Sequence, residues 1–145
     1  MTTADAYNGT YGTNPFNFQH FGVTMVSLKR DGESIPAQPY EPNFTATNTD
    51  YLREYMSIYI YCHLMGRGDN LSFNHDEFGK GYTFFVFNLQ PDLSMVTDGQ
   101  AQNSNLRLEL KFGASLTETV TVIVYALFDG IFEIDQFKNA YITNI

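Results

Sequence analysis

Apolar and polar residues alternate most regularly in LRLELKF, residues 106–112. Leu106, Leu108, Leu110 and Phe112 share one face, and Arg107, Glu109 and Lys111 the other. Strand side chains point to opposite faces in turn, so the spacing predicts a strand with Leu108 and Leu110 buried and Arg107 and Glu109 exposed. Residues 21–30, FGVTMVSLKR, place Phe21, Val23 and Met25 on one face and Val26 and Leu28 on the other, a strand partly covered on both sides. Asp31-Gly32 then marks a tight turn into Glu33-Ser34-Ile35, a short hairpin. Pro36, Pro39 and Pro42 remove ladder donors, so 36–44 is expected to run extended along a surface. YTFFVFNL, residues 82–89, reads as a strand buried on both faces. In TVTVIVYALFD, residues 119–129, Val120, Val122, Val124, Ala126 and Phe128 form one face and Ile123, Tyr125 and Leu127 much of the other. Such a strand is expected to be sandwiched, one face on its own core and the other on a second layer, a helix or another subunit.

One segment changes period. In TDYLREYMSIYIYCHLM, residues 49–65, Leu52, Tyr55, Met56 and Tyr59 recur at helical spacing while Arg53 and Glu54 point elsewhere. A helix capped by Thr49 or Asp50 follows, with its end left open because the β-branched and aromatic run 58–61 also suits a strand. Asn74 is placed to cap a short turn through Phe78, ended by Gly79 and Gly81. Residues 1–15 are polar and turn-rich and read as an arm or loop. NPFNFQHFGV, residues 14–23, is too apolar for a plain loop, and Phe16, Phe18 and Phe21 are expected to pack. Residues 91–104 read as a polar loop. Five or six strands, one helix and long loops make an all-β chain, a β-sandwich with a short helical insertion, in a single domain over 1–145.

Composition agrees with one folded domain. A chain of 145 residues with 43% hydrophobic and 17% charged residues can bury a core without metal or disulfide staples. The net charge of −8 and the scattering of eight basic residues argue against direct nucleic-acid binding. Cys62 is the sole cysteine, which excludes an internal disulfide. No signal peptide and no run long enough to span a bilayer is evident. Asn8, Asn43 and Asn70 fall in N-x-[ST] patterns, read as chance matches.

Candidate chemistry is sparse. His20, His63 and His75 are isolated, whereas a metal-binding cupin barrel wants a close histidine pair and a distant third. No metal site or cofactor is expected, and His20 is read as a packing residue bonded to a backbone carbonyl. His75-Asp76-Glu77 is explained by acids favouring the first turn of a helix. Asp129, Glu133 and Asp135 are the pairable acids of a glycosidase reading, but exposed acids are the default in an acidic chain. Serine and cysteine nucleophile motifs are absent, Gly66-x-Gly68 is too short for a phosphate loop, and Arg67-Gly68-Asp69 is a three-residue match of low weight. An enzyme is not expected. Tyr40, Tyr51 and Tyr61 are the stacking candidates of a carbohydrate-binding, lectin-like sandwich, the alternative reading.

The ordered series AYNGTYGTNPFNFQHFGV, DGESIPAQP, YLREYM, GKGYTFFVFNLQPD and NLRLELKFGASLTETVTVIVYALFDGIFEID resembles proteins of Polinton- and adintovirus-like elements that look like double jelly-roll major capsid proteins. The last block also resembles the C-terminal end of adenovirus hexon. The resemblance covers about residues 5–137. It implies a jelly-roll sandwich, a structural capsid role in the virion and a family habit of forming trimers that contact other capsid subunits. A helix between two late strands is typical of the family, and residues 50–65 fit it. Family members are several times longer, so this chain corresponds to most of the second jelly roll, as a fragment, a remnant or a co-opted gene. The first jelly roll and the strand before AYNGT are expected to be missing. An uncovered strand edge or an apolar patch near Tyr125 and Leu127 is then expected to drive self-association.

Overall fold

The computed structural model describes residues 1–45, 49–65, 70–89, 104–127, 130–134, 138 and 140–144, with the backbone alone for 130–134 and 140–144. Its elements are β1 (Thr2–Thr3), α1 (Ala4–Tyr7), β2 (Val23–Arg30), β3 (Glu33–Tyr40), α2 (Leu52–Tyr61), α3 (His75–Phe78), β4 (Leu106–Phe112), β5 (Val120–Thr121), β6 (Gly130–Ile134) and β7 (Ala140–Asn144). All pairings between these strands are antiparallel, in the sheets β3-β2-β4, β1-β5 and β6-β7. The strand-rich frame with few, short helices is that of an all-β sandwich.

β2 is the middle strand because it is the most apolar on both faces. Val23 and Val26 are buried, and β4 pairs along its whole length, from Val23↔Phe112 to Arg30↔Leu106. The Asp31-Gly32 turn forms as expected. Both residues hold positive φ, 51° and 95°, as the tight hairpin turn requires, and Arg30 faces Glu33. The prolines do interrupt pairing: the register jumps between Leu28↔Ile35 and Val26↔Tyr40. Yet the strand resumes at Tyr40, which is buried rather than lying on a surface. β3 is an edge strand, where missing N–H groups cost little.

Two apolar clusters form the interior. The first centres on Val23, Val26 and Tyr40 and takes in Met1, Phe85, Phe87, Leu110 and Phe112. The second centres on Tyr51, Ile58 and Phe78, with Tyr55, Leu71, Phe73, Phe84 and Val86. Phe44 packs against both. YTFFVFNL runs between them. Among the described residues it joins no strand ladder, and its bridge is that of Tyr82 to Phe18. Its side chains nevertheless alternate, Phe84 and Val86 toward the second cluster and Phe85 and Phe87 toward the first. Tyr40 Oη donates to the Val86 carbonyl at 3.0 Å and ties the segment to β3.

α2 lies where its pattern placed it but buries another face. Glu54, Ser57 and Ile58 are buried, while Leu52 and Met56 are exposed. The reason is the partner. Arg53 reaches back to β3, where its guanidinium donates to the Pro39 and Gln38 carbonyls at 2.7 Å each and stands 5.0 Å over the Tyr40 ring. That contact turns Glu54 inward. Its N-cap is Tyr51, without a side-chain cap, rather than Thr49 or Asp50. α3 follows expectation: Asn74 Oδ1 accepts the Glu77 N–H at 3.0 Å and Glu77 Oε2 accepts the Asn74 N–H at 2.8 Å, a full capping box.

Three further expectations are corrected. Residues 1–15 are not all arm: β1 pairs with β5, and Thr2 and Ala6 are buried. In β4, Leu110 and Phe112 reach the core, but Leu108 is 37% exposed and Glu109 is half-buried. The outer end of β4 overhangs the cluster, and Glu109 is drawn to Lys29 Nζ at 3.0 Å. Phe16 is exposed, while Phe18 packs on Phe84 at 5.2 Å.

Candidate self-association surface

The surface begins where β5 ends. Thr2 and Thr3 pair with Thr121 and Val120, and the Ala4 N–H donates to the Thr119 carbonyl at 2.9 Å. The side chain of Thr3 caps α1 by accepting the Ala6 N–H at 3.2 Å. The amino-terminal turn therefore covers only the start of the apolar run. After Thr121 the chain leaves the ladder, and residues 123–127 make no backbone hydrogen bond to other described residues.

Their side chains are correspondingly open. Val122, Ile123 and Val124 are exposed, Tyr125 is 84% exposed and Leu127 81%. The expectation that one face of this segment meets its own core is not met among the described residues, because the side chains of residues 122–127 are exposed on both faces. The described ladder partner of β5 is β1, and β1 is two residues long. Tyr125 and Leu127 stand two residues apart on one side of an extended chain, with Val124 on the other. Isolated exposed apolar residues are ordinary, but a consecutive run with unpaired backbone groups offers both apolar area and a template for another strand.

The other candidates fall elsewhere. His20 and His75 end a stack of four rings. His20 lies 4.0 Å from Phe44, Phe44 5.0 Å from Tyr51, and Tyr51 4.6 Å from His75, with ring planes within 23° of parallel. Offset stacking of this kind holds rings in place. His20 Nδ1 accepts the Gly22 N–H at 2.9 Å, so its bond is to an N–H and not to a carbonyl. Burial holds its pKa below the ordinary value, which keeps the ring neutral. His63 sits past the end of α2 with a φ of 53°. Among the described residues no three potential ligands gather around a metal position. Asp129, Asp135 and Arg67-Gly68-Asp69 lie outside the described residues, as do most of the loop 91–104 and the side chain of Glu133.

The sugar-stacking tyrosines differ in exposure. Tyr40 and Tyr51 are buried, and Tyr61 is half-buried. Burial pushes the Tyr40 hydroxyl up to about 12. Cys62 is exposed and free. Among the described residues no helix is long and apolar enough to cross a membrane. The open stretch 122–127 was legible as apolar on both faces. That it would be left exposed depends on how far its partner strand extends, and no local pattern states that.

The chain is similar to the uncharacterized protein F54H12.2 of Caenorhabditis elegans, with 33% identity over 156 aligned positions that take in all of this chain and 35% of that protein. The chain thus spans about a third of the length of this curated relative. No family model matches the chain, and no solved structure matches it.

Proposed function

We propose that this chain is a structural module of a capsid-type shell, the second jelly roll of a hexon-like double jelly-roll protein or a co-opted remnant of one. The observation that carries the reading is the uncovered apolar run from Val122 to Leu127, with Tyr125 and Leu127 almost wholly open. A self-sufficient domain covers such a run. A module whose neighbours supply the cover does not need to. The antiparallel frame suits a sandwich, and alignment to about a third of a longer protein suits a part of a larger whole. In this reading the chain is non-catalytic and needs no cofactor. Its partners are copies of itself, in trimers, and other shell subunits. It acts in the virion and touches neither membrane nor nucleic acid.

The test is the state of the chain in solution. Light scattering across a concentration series should show a growing oligomer, and Leu127→Lys should weaken it while leaving the thermal transition in place. A lysine there places a strongly hydrated charge in the contact. A clean monomer at high concentration, unchanged by Leu127→Lys, would sink the proposal. Binding on a glycan array by that monomer would favour the carbohydrate-binding alternative instead.

A further inference from the structure

A second feature lies apart from the open strand segment, in the groove between α2 and the turn that enters α3. Its walls are aromatic and its rim polar. Tyr55, Tyr59 and Phe73 line it with Asn70, Asn74 and Glu77, around a cavity of about 330 Å³. The rings form a corner. Tyr55 stands at 73° to Tyr59 with centroids 5.5 Å apart, and at 67° to Phe73 at 6.3 Å. The corner is held by hydrogen bonds, since Tyr55 Oη lies 3.2 Å from Tyr59 Oη and donates to the Phe73 carbonyl at 3.4 Å.

Glu77 brings a fixed negative charge to this corner. Its Oε2 is held by the Asn74 N–H in the capping box, while Oε1 makes no hydrogen bond among the described residues. No lysine or arginine forms an ion pair with it among the described residues. The carboxylate is felt at the rings: the Tyr55 hydroxyl is pushed up to about 12, first by its bond to Tyr59 and by burial, then by the charges of Tyr59 and Glu77. Ring faces attract cations, and a carboxylate with a spare oxygen adds a directed acceptor.

We propose that this groove binds the guanidinium of an arginine side chain presented by a partner polypeptide. The chemistry selects among cations. A quaternary ammonium has no N–H for Glu77 or the asparagine side-chain oxygens, and a lysine ammonium has no flat face to lay on a ring. A guanidinium has both. The chain already builds such a site for itself, where Arg53 lies over Tyr40 and donates to two backbone carbonyls. The inference is independent of the capsid reading, since it concerns a different face and a different chemistry.

The experiment is an NMR titration of the tyrosine ring signals of the intact chain. The probes are an N-acetyl-arginine amide, the matching citrulline amide, tetramethylammonium and methyl glucoside. The arginine amide should shift the Tyr55 and Tyr59 signals saturably. Citrulline, neutral and of the same shape, should bind about tenfold more weakly, the difference between a charge-assisted and a neutral hydrogen bond. Glu77→Gln keeps an oxygen for the capping box but loses the charge, and should weaken arginine binding about two- to fivefold. The proposal is overturned if arginine gives no saturable shift, if citrulline, tetramethylammonium or the glucoside binds as well, or if Glu77→Gln changes nothing.

Discussion

Two stretches of this chain are alike in sequence and opposite in fate. Phe84–Phe87 and Val122–Leu127 are both apolar on both faces, and both lie outside the strand ladders of the described residues. The first lies between the two apolar clusters, with Phe84 and Val86 on one and Phe85 and Phe87 on the other. The side chains of the second are exposed on both faces. The difference is supply. The first stretch is flanked by β2–β3 with Tyr40 on one side and by α2 and α3 on the other. Among the described residues the second continues from β5, whose neighbours are the short β1 and the single turn of α1. An apolar pattern states how much cover a segment requires, and it leaves open whether the same chain provides that cover.

The largest effect that would sharpen this contrast lies at the wall of the covered stretch. Phe78 is fully buried beneath Phe84 and Val86, so Phe78→Ala should cost about 3–5 kcal/mol in urea unfolding. A loss below about 1 kcal/mol would mean that the second cluster is loosely packed. At the half-covered edge, Leu110→Ala should cost about 1–2 kcal/mol, because only part of a leucine's burial is at stake. Leu108→Ala should cost less than Leu110→Ala, since Leu108 overhangs the core, and equal midpoints would place both on the same wall. In the uncovered stretch, Val124→Ala should change folding stability by no more than about 0.5 kcal/mol when measured at high dilution. A cost like that of a core residue would show that the segment folds against its own chain and would erase the contrast.

The smallest effect is electrostatic and belongs to the covered half. Glu54 is 3% exposed, and burial raises its carboxyl above the ordinary value of 4.5, with Asp50 adding to the rise. Bonds from the backbone N–H groups of Glu54 and Glu41, and the charge of Arg53, pull the other way. A raised folded pKa means that the folded chain prefers the protonated acid. Its contribution is complete below 4.5 and is lost as pH rises through the folded value. Wild type should therefore lose stability relative to Glu54→Gln as pH climbs from 4.5 upward. A constant difference between the two across that window would mean that the carboxylate is well solvated.

What the residues determined alone is local. Asp31-Gly32 set the hairpin because few dipeptides accept two positive φ angles in succession. Asn74 and Glu77 set the start of α3 because each satisfies the other's backbone. The period of Leu52, Tyr55, Met56 and Tyr59 set a helix, though not its end, and the alternation of 106–112 set a strand. The tertiary structure decided everything that depends on a partner. Arg53 found the Pro39 and Gln38 carbonyls, and that rotated α2 to bury Glu54 in place of Leu52. β1, the described partner of β5, stops after two residues, and Val122–Leu127 beyond it is exposed. Tyr55, Tyr59 and Phe73 met at one corner beside Glu77 only because α2 and α3 pack together. Local rules act over a few bonds and are written in consecutive residues. The choice of partner is a competition among distant surfaces, settled by total burial, and no short stretch of sequence contains it.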